Sequence, residues 1–253
     1  PQARTVEWKY TRLGPLGEVV SLTPATEPEP KPEGGLFALS QPLNIEGTEG
    51  VKEWTAPSAI VPADFDGDGR LDLLLCNAVE NGTRHAFLQG DDSGAGFRYL
   101  PEHPLGQVGG HAAMVADLDH SGGREVAFVS GSSTGIQLWQ STEDGVVPVV
   151  DEALAQAPAA QTIRATDVDH DGDLDLLTES ALFTANGDGS WRRQTEGLEA
   201  LSSDAVSVLP MDLDQDRDRD LVVVGQQGLW VIRNDRIWQW ESLQIDDEPA
   251  QAV

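Results

Sequence analysis

Cysteine and positive charge are the two things this 253-residue chain has least of. A single cysteine, Cys76, excludes an internal disulfide. It follows Leu73, Leu74 and Leu75 in an apolar run, which predicts a buried packing role rather than reactivity. Lys and Arg total 16 against 43 Asp and Glu, giving a formal net charge of −27. Phosphate backbones and anionic bilayers are repelled by such a surface, so nucleic-acid and direct membrane partners are excluded. No apolar run reaches the length of a membrane-spanning helix. The sequence also lacks a G-x-S-x-G elbow, a phosphate-binding loop and a Cys–His pairing. His85, His103 and His111 show no zinc-ligand spacing. Nothing argues for acid–base or nucleophilic chemistry, and the expectation is a protein that is not an enzyme. The chain opens on Pro1 with neither an initiator methionine nor a signal peptide, which reads as a processed product or a segment of a longer polypeptide.

What the chain has in excess is acid, and the acid is patterned. A nine-residue motif recurs about every fifty residues, beginning at Asp64, Asp117, Asp167 and Asp212. Side-chain oxygens occupy positions 1, 3, 5 and 9: Asp64, Asp66, Asp68 and Asp72; Asp117, Asp119, Ser121 and Glu125; Asp167, Asp169, Asp171 and Asp175; Asp212, Asp214, Asp216 and Asp220. Carboxylates crowded this closely repel one another unless a cation sits among them. Hard oxygen donors on a short loop favour calcium, so up to four structural Ca²⁺ ions are predicted. Position 7 (Arg70, Gly123, Asp173 and Asp218) varies in side chain and would ligate through its backbone carbonyl. Position 6 is Gly69, Gly122 and Gly172 in three copies but Arg217 in the fourth, which makes that loop the most strained if positive φ is required. Four ions would reduce the formal charge from −27 to about −19.

Helices do not flank these loops. A helix–loop–helix calcium site needs a glutamate at position 12, where this chain has Leu75, Phe128, Thr178 and Val223. The flanks are short apolar runs: 59–63, 112–116, 161–165 and 205–209 before the loops, and 73–75, 126–129, 176–177 and 221–224 after them. Such runs, bounded by Gly and Asp, predict buried strands joined by each acidic loop.

The four loops resemble the FG-GAP / VCBS repeat family, with the copies at Asp64 and Asp167 fitting nearly letter for letter. The run from Leu182 to Trp191, with its Asn186-Gly187-Asp188-Gly189 turn, resembles the family's later hairpin; looser versions span 86–97 and 229–238. The resemblance covers about residues 54 to 240 and implies an all-β chain, a β-propeller of FG-GAP/VCBS-type blades with calcium in the loops. It implies no single activity, because fold and function separate. Ser121, Glu125 and Arg217 depart from the pattern.

On this reading residues 1–23 form an N-terminal arm with one strand over 5–13, residues 24–35 a Pro/Glu-rich linker, and residues 36–253 the propeller. Repeats run to about 104, then 105–158, 159–201 and 202–245, with a frayed tail from Ile245. The strand around Trp8 is expected to complete the last sheet; the alternative is an incomplete ring whose missing blades come from a neighbouring segment or chain. His120 and His170 hold the same loop position and read as surface-turn residues. Trp139, Trp191, Trp230, Trp238 and Trp240 read as packing between blades, or else as platforms for sugars or a protein partner. Arg192, Arg193 and Arg233 would orient a partner or balance nearby carboxylates. Plentiful calcium points outside the cytoplasm, to a secreted, periplasmic or cell-surface place. The functional expectation is a calcium-stabilised scaffold that binds another protein or further subunits of a complex. A glycan-binding lectin is the alternative, and a polysaccharide-degrading domain comes after it.

Overall fold

The computed structural model describes residues 11–13, 19–21, 44–49, 51, 54–80, 82, 84–92, 96–142, 145–226, 228–235 and 239–247. The chain divides into two units, Pro1–Pro42 and Leu43–Val253. In the first unit, β1 (Thr11–Leu13) pairs antiparallel with β2 (Val19–Ser21). Of the strand expected over 5–13, residues 11–13 are described, and they form β1. Trp8 and the 24–35 linker lie outside the described residues.

The second unit is all-β with little helix. It opens with β3 (Asn44–Glu46) and then runs through four up-and-down meanders. The first sheet comprises β4 (Ala59–Ala63), β5 (Asp72–Val79), β6 (Arg84–Gly90) and β7 (Gly96–Tyr99). The second comprises β8 (Ala112–Ala116), β9 (Glu125–Val129), β10 (Gln137–Thr142) and β11 (Gly145–Val149). After a one-turn helix, α1 (Glu152–Ala155), come β12 (Ile163–Thr166), β13 (Asp175–Thr178), β14 (Leu182–Ala185) and β15 (Trp191–Gln194). The fourth sheet is β16 (Ala205–Met211), β17 (Asp220–Gly225), β18 (Gly228–Asp235) and β19 (Gln239–Asp246). Strand order follows chain order in each, and all pairings within the meanders are antiparallel. β3 adds to the first sheet in parallel beside β7. The tail read as frayed from Ile245 is β19 strand through Asp246.

Because strand side chains alternate between faces, each central strand supplies apolar residues to both neighbours. Leu74, Phe87 and Val61 of the first sheet meet Val126 and Phe128 of the second. Ala127 and Leu138 of the second meet Leu176 and Phe183 of the third, and Leu177 and Leu182 of the third meet Leu221 and Ile232 of the fourth. Every connection between sheets inserts a leucine into the interface it bridges: Leu105, Leu154, and Leu198 with Leu201. Helix α1 exists because Asp151 caps it, its Oδ1 accepting from Leu154 N at 2.9 Å, while its Oδ2 accepts from Trp191 N at 3.2 Å in the next sheet. Cys76 is fully buried in β5, and desolvation pushes its thiol up to about 12, so it is inert packing as expected.

Candidate metal sites at the sheet corners

Each acidic loop joins the first two strands of a sheet, so the four loops recur at the same corner. Positions 1, 3 and 9 converge in every copy: Asp64, Asp66 and Asp72; Asp117, Asp119 and Glu125; Asp167, Asp169 and Asp175; Asp212, Asp214 and Asp220. Within each triad one carboxylate oxygen per residue lies within 4.8 Å of the others. Four acidic triads able to hold metal ions are thus built into the described residues. Position 9 is buried in every copy, because it already belongs to the second strand.

Backbone N–H groups hold the carboxylates in place. The position 9 carboxylate accepts from the position 2 amide: Phe65 to Asp72 at 3.1 Å, Leu118 to Glu125 at 2.6 Å, Val168 to Asp175 at 2.8 Å and Leu213 to Asp220 at 2.8 Å. In the aspartate copies its other oxygen accepts from the third strand, from Gly90, Ala185 or Asn234 at 2.8 to 3.0 Å. The position 1 carboxylate accepts from the position 6 amide at 2.9 to 3.3 Å. Gln89 and Gln140 donate from the third strand to the position 3 residues Asp66 and Asp119, at 2.6 and 2.5 Å.

Positions 5 and 7 stand outside the triads. The position 5 oxygen of Asp68, Ser121, Asp171 or Asp216 accepts from the position 7 amide at 2.8 to 3.1 Å, forming a turn within the loop. Arg70 turns its guanidinium onto Asp68 and, at 3.0 Å, onto Asp92. Position 6 takes positive φ in all four loops, +82° at Gly69, +84° at Gly122, +98° at Gly172 and +82° at Arg217. Position 4 does so as well, and sequence reasoning missed it: Gly67, His120, His170 and Gln215 have φ between +56° and +75°. The signal was the presence of Gly, His and Gln, none β-branched, at one loop position.

The donor set is what a hard cation requires. Asp117 Oδ1, Asp167 Oδ1 and Glu125 Oε1 are buried oxygens without a hydrogen-bond partner. A buried acceptor left unsatisfied is costly, and a cation is the group that satisfies several at once. Burial first, and then the neighbouring charges of Asp169 and Asp171, push Asp175 up to about 7. Burial likewise raises Asp72, Glu125 and Asp169, with neighbouring carboxylates adding to it. The triads therefore resist full ionisation on their own.

The histidines play two parts. His120 Nε2 reaches Gly172 O at 3.0 Å and Asp173 Oδ1 at 3.2 Å, so position 4 of the second loop touches positions 6 and 7 of the third. His170 repeats this toward Asp218 of the fourth loop, at 3.8 Å. His85 is buried, accepts from Asn77 N through Nδ1 and stacks on Phe128 at 5.2 Å. His103 stacks on Phe87 at 3.6 Å. Trp240 and Trp191 are buried packing residues, and Trp238 lies outside the described residues. Arg233 pairs with Glu241 at 2.6 Å and Asp235 at 3.8 Å, balancing local carboxylates. A cavity of about 450 Å³ opens beside the second and third loops, lined by His120, Gln140, Asp173, Asp188 and Trp191 among others.

No family model matches the chain, and no curated protein matches it. Two solved structures are similar over 81% of this chain. An Agrocybe aegerita lectin that recognises non-reducing terminal N-acetylglucosamine is 16% identical with a TM-score of 0.48; the match spans 57% of its length. The Vibrio cholerae biofilm matrix protein Bap1 is 15% identical with a TM-score of 0.40, and the match spans 40% of its length.

Proposed function

We propose that the four sheets are blades of an FG-GAP/VCBS-type propeller module, stabilised by calcium, that acts outside the cytoplasm as a rigid scaffold for protein partners and catalyses no reaction. The observation that carries this reading is the recurrence of one oxygen-only triad at the same corner of four successive sheets. Calcium bound there supplies positive charge that neutralises the triad and ties the start of the second strand to the loop before it. Asp64, Asp66 and Asp72, with their counterparts in the other loops, would hold the ions. Since the donors converge only in the folded chain, ion binding adds directly to folding stability. No described helix is long and apolar enough to cross a membrane. Native mass spectrometry of protein dialysed against calcium tests the reading. Retention of several calcium ions, one fewer for each of Asp66→Asn and Asp169→Asn, supports it; a metal-free spectrum defeats it.

A second reading, glycan binding, is favoured by the cavity beside the second and third loops. Its carboxylates and the Gln140 amide could engage sugar hydroxyls. A glycan array probed with wild type and Gln140→Ala separates the readings, because only a lectin gives a defined sugar signal that the substitution removes.

A further inference from the structure

The stack of sheets ends in two open apolar faces, and they are of opposite kinds. Two residues after position 9, each sheet has a transverse row that faces the next sheet. In the first sheet this row is Val61, Leu74 and Phe87; in the second it is Met114, Ala127, Leu138 and Val149; in the third, Leu177 and Leu182, with Arg164 and Gln194 on the two outer strands. The apolar members belong to the cores between sheets. The fourth sheet continues the register with Leu209, Val222, Val231 and Leu243, and here Leu209 is 50% and Leu243 60% exposed. Position 2 of the loops follows the same rule. Phe65, Leu118 and Val168 are buried in the interface with the next sheet, whereas Leu213 of the fourth loop is exposed.

The first sheet has the opposite deficit. The residue after position 9 faces the preceding sheet, and Val126, Leu176 and Leu221 there are fully buried. Leu73 of the first sheet is only half-buried, and Leu71 and Ile60 on the same face are 55% and 59% exposed. Ile45, Val51, Phe97 and Tyr99 cover the far part of that face and leave this strip open. Apart from Val147 and Val150, the exposed large apolar residues among those described gather at these two ends.

We infer that the two faces are for each other: the fourth sheet of one copy of this chain docks on the first sheet of a second copy. Each interface inside the stack joins one row of the first kind to one of the second kind, and one of each kind is left over. A pairing of two fourth sheets would join like rows, which no interface in the stack does. A one-way contact polymerises unless it closes. If the sheets are propeller blades, as proposed above, two copies close head to tail as a ring of eight, within the roughly four to eight blades that such rings hold. The acidic surface opposes association, but at physiological ionic strength charges more than about 8 Å apart are screened.

Sedimentation velocity in calcium and about 0.15 M salt, up to roughly 100 μM protein, tests this. Wild type is expected to be dimeric, with Leu243→Lys and Ile60→Lys each weakening the dimer about 100-fold or more by burying an unpaired charge. Both positions are exposed in the single chain, so dilute samples of either variant should melt as wild type does. Mixing the two variants should restore a pair, since one keeps an intact first sheet and the other an intact fourth. A wild type that stays monomeric, one that forms open polymers, or a dimer broken by Leu243→Lys but indifferent to Ile60→Lys overturns the inference. A calcium count on the same samples separates that failure from failure of the metal reading.

Discussion

Removing calcium should lower the melting temperature, and the size of the drop can be worked out from the triads. Calcium modules outside cells bind with Kd of about 0.1 to 1 mM. At about 2 mM free calcium and a Kd of about 0.2 mM, each occupied site stabilises by RT ln(1 + 10), or about 1.4 kcal/mol. Four independent sites contribute about 6 kcal/mol. For a folded unit of this size each kcal/mol moves the melting point by about 2 to 4 °C, so excess chelator should cost about 12 to 24 °C. The decisive control is Asp169→Asn, which leaves the shape of the third loop nearly unchanged and removes one charge. In calcium it should lower the melting point by about 3 to 6 °C through the loss of one site. In chelator the sign should reverse. Asp169 is then a carboxylate whose ionisation is opposed by burial and by Asp171 and Asp167, and the amide relieves that repulsion. Differential scanning calorimetry of both proteins in both buffers gives the four values. Equal melting points with and without chelator, or the same loss from Asp169→Asn in both buffers, would refute the metal reasoning.

Further outcomes follow from packing and backbone. Burial holds the His85 imidazole at about 4, below its ordinary 6.5, so the unfolded chain takes up a proton that the folded chain refuses. The stability this represents is complete above pH 6.5 and is lost as pH falls toward 4; between pH 7 and pH 5 it amounts to about 2 kcal/mol, read as the drop in urea-unfolding free energy that wild type shows and His85→Phe does not. Phe128→Ala empties a fully buried site between the first and second sheets and removes the ring that His85 stacks on, costing about 3 to 5 kcal/mol in the same assay. Arg217→Gly should stabilise by roughly 1 kcal/mol, because Arg217 sits at φ +82° where the other loops have glycine; Arg217→Ala should gain nothing.

Legibility in the sequence was high wherever a single period carried the information. The acidic repeat placed four loops at their observed positions, and the apolar runs placed the strands around them: 59–63, 112–116 and the start of the run at 205 match β4, β8 and β16. The same logic located the hairpin around Asn186–Gly189, because its turn residues are explicit. Inside the loops, composition could not separate roles. Aspartate at position 5 looks the same on paper as aspartate at position 3, yet position 3 joins the triad while position 5 accepts from the position 7 amide. Position 7 was read only through its backbone carbonyl; its side chains make a contact of their own, Asp173 and Asp218 facing histidines of the preceding loop across some fifty residues, which no local pattern encodes. A strand-like stretch does not say which edge it pairs with: β3 adds in parallel beside β7, a pairing between segments about fifty residues apart that no local pattern encodes.

Those histidine contacts change how the corners relate to one another. A carboxylate triad alone would be a private site, sensing only its own ion. His120 links the second loop to the third and His170 links the third to the fourth, so the position 7 segment of each later loop is held by the loop before it. Side chains of the following sheet reach back as well: Ser141 Oγ donates to Phe65 O at 3.2 Å, and Asn234 Nδ2 to Val168 O at 2.9 Å, each at position 2 of the preceding loop. Ordering one loop therefore fixes atoms of its neighbour, and part of the entropy lost on binding the first ion need not be lost again at the second. Between the first and second loops the histidine link is missing, since position 4 is Gly67 and position 7 is Gly123, and neither has a side chain to offer. Among the described residues, the Ser141 hydrogen bond joins them there. The second, third and fourth corners are thus more closely coupled to one another than any of them is to the first, and that asymmetry follows from two glycines.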